Sequence, residues 1–311
     1  MHSPRPEMIR RFAAISSLLI FGLIILGGVV TASESGLGCG AHWPLCHGQV
    51  IPPDTFHAWV EWTHRLIAGL VSLMIVVLNG LIWRGTGMRD AQARRLRWLG
   101  IVALGLLVAQ VLLGAAIVFN NLAAVIVAIH LGTALLLMDV LVAIVVLARP
   151  VRLRRKTGGV GAALWWLAGL SEATAIMGSY VAHAVISSAC DGFSCLTGGL
   201  LGGAGVPLLV HVTLALSLAV VLGILFKNRR LGTLSKTSRT YLTLALFLFM
   251  VQVLVGLVML GLNVPDPLLA LHESIGSGVA VSFFMAALYQ QLAPVDPDKA
   301  ASASPGARLA E

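Results

Sequence analysis

The polar residues of this chain fall into short clusters between long apolar runs, and that spacing alone predicts the architecture. A spanning helix needs about 20 mostly apolar residues, because lipid offers its backbone no hydrogen-bond partner. Eight runs meet that demand, near residues 12–30, 59–83, 98–119, 123–148, 160–186, 207–226, 241–262 and 268–292. Only Asn120 and Asn121 separate the third run from the fourth, and only residues 263–267 separate the last two, so both pairs read as tight helical hairpins. Composition agrees: 58% of the 311 residues are hydrophobic and 11% are charged, where soluble domains carry about a quarter charged residues. The expectation is an all-α integral membrane protein with eight transmembrane helices.

The net charge of +8 acquires meaning once the cations are placed. Twenty of the 21 Lys and Arg residues fall before the first run (Arg5, Arg10, Arg11), within 84–97, 149–156 and 227–239, and in the tail (Lys299, Arg308). Cytoplasmic loops collect such residues, so both termini read as cytoplasmic and the long loops 31–58 and 187–206 as external. The protein is therefore expected in the cytoplasmic membrane, with its charge a topological signal and nothing pointing to nucleic acid. Arg65, inside the second run, is the exception. Arg10 and Arg11 ahead of an apolar run and the small residues near Ala32 also fit a cleavable signal peptide; the duplication described next makes the first run a retained helix.

Comparison of the chain with itself reveals two halves. Gln110, Gly114, Asn121 and His130 recur as Gln252, Gly256, Asn263 and His272, shifted by 142; Gly27 and Cys39 recur as Gly178 and Cys190, shifted by 151, and Cys46 has a counterpart in Cys195. An even number of spans per half makes the repeats parallel. The chain is thus expected to form two parallel-repeat four-helix bundles, residues 1–150 and 151–311.

Four of nine histidines, His64, His130, His211 and His272, lie inside apolar runs. An ionisable group at membrane depth is costly and marks function by default, although a buried neutral imidazole also serves as a hydrogen-bonding group between helices. The second and fourth helices of each half supply one histidine apiece, at depths of roughly 6–11 Å from the external ends. Two imidazoles facing each other in a bundle suit the axial positions of a haem iron; zinc would call for nearby thiolates or carboxylates. Glu61 precedes His64 by one turn, whereas Leu208 holds the matching position before His211. A carboxylate beside one pair alone points to chemistry at one site and electron storage or relay at the other; the plainer reading makes Glu61 an interfacial acid favoured by the helix dipole. Arg65 fits either a snorkelling cation or a partner of a haem propionate. Cys39 with Cys46, and Cys190 with Cys195, stand on the oxidising side, where each pair can form a disulfide, as a loop staple or in a redox role. His42, His47, His57 and His183 have no counterpart in the other half and are not read as ligands.

The run from Ser35 to Pro53 containing Cys39, Trp43, Cys46 and Gly48, the motif Glu61-x-x-His64-Arg65, and His130, His211 and His272 in a duplicated eight-helix chain resemble the haem A synthase family. The likeness covers nearly the whole chain apart from its tails. It implies oxidation of the ring D methyl group of haem O to a formyl group, by two successive hydroxylations and loss of water, giving haem A for terminal oxidases. By the same resemblance His64 and His130 flank the haem O substrate, His211 and His272 ligate a haem B cofactor, and Glu61 is the catalytic carboxylate. Implied partners are haem O, a haem O synthase, an unidentified electron donor and membrane lipid; a homo-oligomer is compatible. The rival readings are a dihaem b-type electron-transfer cytochrome, which would place histidines at both depths to carry electrons across the membrane, and a transporter of parallel repeats, which leaves four aligned histidines without a task.

Overall fold

The structure, a computed structural model, describes residues 6–85, 90–149, 151–153, 158–184, 205–227, 234–262 and 266–294. The eight helices are α1 (Pro6–Ala32), α2 (Phe56–Arg84), α3 (Asp90–Phe119), α4 (Ala124–Leu147), α5 (Gly158–Ala184), α6 (Gly205–Lys227), α7 (Lys236–Gly261) and α8 (Asp266–Gln291). All eight are long and apolar enough to cross a membrane. A one-turn 3₁₀ segment, Ser35–Leu37, follows α1. Two short strands, β1 (Val151–Leu153) and β2 (Leu292–Pro294), pair antiparallel and tie the chain after α4 to the end of α8.

Several helices overrun the apolar runs because backbone hydrogen bonding continues into their polar flanks. Pro6 occupies the first position of α1, where its missing N–H costs nothing, and Arg10 donates to Glu7 at 2.8 Å in the same turn. α3 begins at Asp90 rather than near Trp98. The Thr55 hydroxyl caps α2 by accepting from the Ala58 N–H, and Ser235 does the same for α7 from Ser238. Between α3 and α4 the tight hairpin is present: Asn121 and Leu122 take left-handed φ values of 48° and 59°, a conformation asparagine tolerates better than most residues.

In the first half α1 packs on α2 and α4, α2 on α3, and α3 on α4; in the second, α5 packs on α6 and α8, and α7 on α8. Three contacts join the halves: α4 with α5, α1 with α8, and α4 with α8. This set maps onto itself when α1 is exchanged with α5 and α4 with α8. Each half has its own core, with Ile75, Leu78, Leu96 and Leu141 buried in the first and Leu164, Leu167, Leu218 and Phe283 in the second. Large apolar side chains such as Leu18, Leu73, Leu112, Phe247 and Met250 point outward, as helices bathed in hydrocarbon require.

Candidate functional site

The four intrahelical histidines sit on α2, α4, α6 and α8. His130, His211 and His272 come six residues after the helix starts at Ala124, Gly205 and Asp266, and His64 eight after Phe56. The alternation of the helices puts all four toward the end that carries loop 33–55. Each ring stands against a glycine of the preceding helix: His64 against Gly27, His130 against Gly114, His211 against Gly178 and His272 against Gly256. These are the glycines that recur between the halves, so the duplication preserves a clearance for each imidazole. The clearance differs. From the point a glycine Cβ would occupy, Cε1 of the ring is 3.6 Å away at Gly27 and 3.7 Å at Gly114, but 2.9 Å at Gly178 and 3.0 Å at Gly256. No side chain larger than hydrogen fits the second half without moving its histidines.

The His211 and His272 rings stand at 62° to each other with centroids 6.3 Å apart, a separation that two metal–nitrogen bonds of about 2 Å and two ring radii would fit. His130 lies within electrostatic range of His64. His211 Nδ1 bonds the Thr174 carbonyl at 3.0 Å, which fixes the ring and leaves Nε2 for a ligand. Nδ1 of His64, His130 and His272 is buried without a partner. Gln110 Nε2 donates to the His130 carbonyl at 2.8 Å and to the Thr133 hydroxyl, pinning α3 to the turn of α4 that carries the histidine. Among the described residues no group of three or more His, Cys, Asp or Glu side chains could hold a bare metal ion. Paired histidines in apolar bundles, the second pair with ring centroids 6.3 Å apart and His211 held through Nδ1, fit a haem, whose macrocycle supplies the other iron ligands.

The first pair has a cap that folds back from loop 33–55. Cys39 and Cys46 form a disulfide, both are buried, and they pack with Ala58 and Trp62 of α2. Gly38 makes this approach possible, since a Cβ there would lie 2.3 Å from the His57 backbone. The Cys39 N–H donates to Glu61 Oε2 at 2.7 Å. Arg65 donates to Glu61 Oε1 through Nη2 and to the carbonyls of His42 and Leu45, both at 2.8 Å, through Nη1. Glu61 is thus a buried carboxylate held from both sides one turn from His64, with 4% of its surface exposed. Arg65 neither reaches the surface as a free cation nor stands apart from the protein; it clamps the loop. Of the other described histidines, His47 Nε2 bonds the Gly38 carbonyl, His57 the Ser35 hydroxyl and His183 the Thr31 hydroxyl, and the His42 ring lies 6.3 Å from that of His47. The Cys190–Cys195 pair lies outside the described residues.

Three intramembrane carboxyl groups were missed by reading the histidines alone. Asp139 on α4 is buried and hydrogen-bonded to Glu172 on α5. Glu273 on α8 is buried with Oε1 unpartnered. A single acid in a long apolar run was the available signal.

The family model described as cytochrome oxidase assembly protein, COX15-CtaA, matches residues 10–58 and 53–284. A protein of Alkalihalophilus pseudofirmus is 31% identical over 212 residues, 66% of this chain and 70% of its own length. One of Shouchella clausii is 31% identical over 237 residues, covering 70% and 75%. One of Lysinibacillus sphaericus is 40% identical over 128 residues, covering 40% of each chain. All three are named Heme A synthase. With matched residues running from α1 into α8, this chain belongs to the COX15-CtaA family of cytochrome oxidase assembly proteins.

Proposed function

We propose that this multi-pass membrane protein is a haem A synthase whose two halves divide the work. The first half, residues 1–150, takes haem O between His64 and His130 as substrate. The second, residues 151–311, keeps a haem B between His211 and His272. The observation that carries this division is the carboxylate beside one pair: Glu61 is held by the Cys39 N–H and Arg65 beside His64, and its counterpart in the other half is Leu208. Two hydroxylations of the methyl carbon, with an external oxidant and oxygen source, followed by loss of water from the geminal diol, move protons at the new oxygen atoms, and a carboxyl group held beside the site would carry them.

In this reading the Glu61 carboxylate receives or returns protons at Oε1 and Oε2, while Arg65 and the disulfide-closed loop hold it in place and keep bulk water from the site. The bound haem B supplies one-electron redox chemistry. The histidines orient the two macrocycles, His211 with its ring fixed through the Thr174 carbonyl. The cation distribution supports cytoplasmic termini and a Cys39–Cys46 loop on the external side of the cytoplasmic membrane. The matching helix contacts of the two halves support the parallel-repeat arrangement. Haem O synthase and an electron donor are the implied working partners, within a lipid bilayer.

Co-expression with a haem O synthase, followed by pigment extraction, tests the function. Haem A in the extract is expected; haem O without haem A would overturn it.

A further inference from the structure

The two histidine pairs share a wall, and the wall is thin at one place. His64 rests on Gly27 of α1 with Cε1 3.6 Å from the glycine's Cβ position. The next residue, Gly28, faces the other half. Its Cβ position lies 3.2 Å from Glu273 Oε2 and 3.5 Å from the Ala270 carbonyl. Glu273 adjoins His272. One dipeptide of α1, Gly27-Gly28, therefore separates the helix face bearing His64 from the α8 turn bearing His272, and the absence of side chains lets α1 and α8 touch.

The duplication offers a built-in comparison. Under the exchange of halves, Gly28 corresponds to Ser179 and Glu273 to Leu131. The other seam, α4 with α5, has Gly132 pressed against the Ile176 side chain, with Cδ1 2.8 Å from its Cβ position. That seam meets an aliphatic side chain here and carries the paired Asp139 and Glu172 elsewhere along its length; the α1–α8 seam holds a buried carboxyl whose Oε1 has no partner. An ionisable group in a membrane interior is costly and marks a functional position by default.

We propose that the Gly27-Gly28/Glu273 contact between α1 and α8 is the junction through which electrons pass between the two sites, with Glu273 as its positioning residue. The proposal rests on the reading of two haem sites given above. In the step, one electron leaves the iron held by His211 and His272, oxidising it, and arrives at the iron held by His64 and His130, reducing it. No bond forms or breaks, and an external one-electron reductant restores the first iron. Gly28 sets the separation by letting the helices touch, and Glu273 fills the contact with a polar side chain.

The test uses full-length protein loaded anaerobically with haem B and haem O. A photoreductant injects less than one electron per molecule, and freeze-quenched EPR follows each ferric centre by its g values. Gly28→Leu is expected to keep both centres and slow equilibration between them at least tenfold. Glu273→Leu slows it several-fold, Glu273→Gln restores the wild-type rate, and Ile176→Leu in the other seam leaves it unchanged. Two intact centres equilibrating at the wild-type rate in Gly28→Leu would overturn the junction. Should that variant not fold, an unchanged rate in Glu273→Leu does the same. A single ferric centre in the loaded wild type overturns the two-site reading, and the junction with it.

Discussion

The two halves place four histidines on equivalent helices against equivalent glycines, yet they are finished differently. In the second half Cε1 of the rings lies 2.9 and 3.0 Å from the point a Cβ on their glycines would occupy, and His211, unlike His272, is anchored to a backbone carbonyl. In the first half the corresponding distances are 3.6 and 3.7 Å, neither Nδ1 has a partner, and a disulfide-closed loop presses Glu61 and Arg65 over the site. The tighter pair suits a group that stays. The looser, capped pair suits a group that enters, reacts and leaves. In the proposed reading one scaffold serves two tasks, and the described residues of the halves differ in these clearances and in Glu61 against Leu208.

The largest expected effect breaks the comparison at its base. His211→Ala and His272→Ala should abolish the bound b-type spectrum of the purified protein, whereas His64→Ala should leave it in place; loss of that spectrum in His64→Ala would merge the two sites. Glu61→Gln should next lower haem A yield by about 100-fold or more, the usual scale for a lost acid–base group, with haem B content unchanged in the same sample. The clearances sharpen the contrast further. Gly178→Ala or Gly256→Ala forces a ring to move and should cut haem B content several-fold, while Gly27→Ala and Gly114→Ala meet ordinary contact distances and should stay within about twofold of wild type. The smallest effect concerns the cap. Cys39→Ser with Cys46→Ser removes a short-loop crosslink of about 2–3 kcal/mol, read as faster hydrogen exchange in residues 38–48, with residues of α6 and α8 unaffected.

Much of this was legible in the residues because lipid imposes a coarse rule, about 20 apolar positions per crossing. All eight helices exist where the runs predict them, but α3 starts at Asp90 because charged flanks such as Arg94, Arg95 and Arg97 continue the same helical hydrogen bonding. Gly27, Gly114, Gly178 and Gly256 emerged as repeated positions; their purpose, room for an imidazole, depends on which helix lies opposite and is invisible along the chain. Arg65 left two alternatives open because its partners His42 and Leu45 are brought over only when the loop folds back. Asp139, Glu172 and Glu273 were overlooked for a simpler reason: one acid scarcely alters the hydropathy of a long run, and the pairing across α4 and α5 is a tertiary contact.

The division of labour between the halves is tested most directly by extracting pigments from purified Glu61→Gln protein co-expressed with a haem O synthase. The account predicts a full complement of haem B together with haem O or its hydroxylated form, and haem A at the limit of detection. A wild-type level of haem A in that variant, or loss of haem B along with it, would contradict a capped catalytic half working beside a separate resident one.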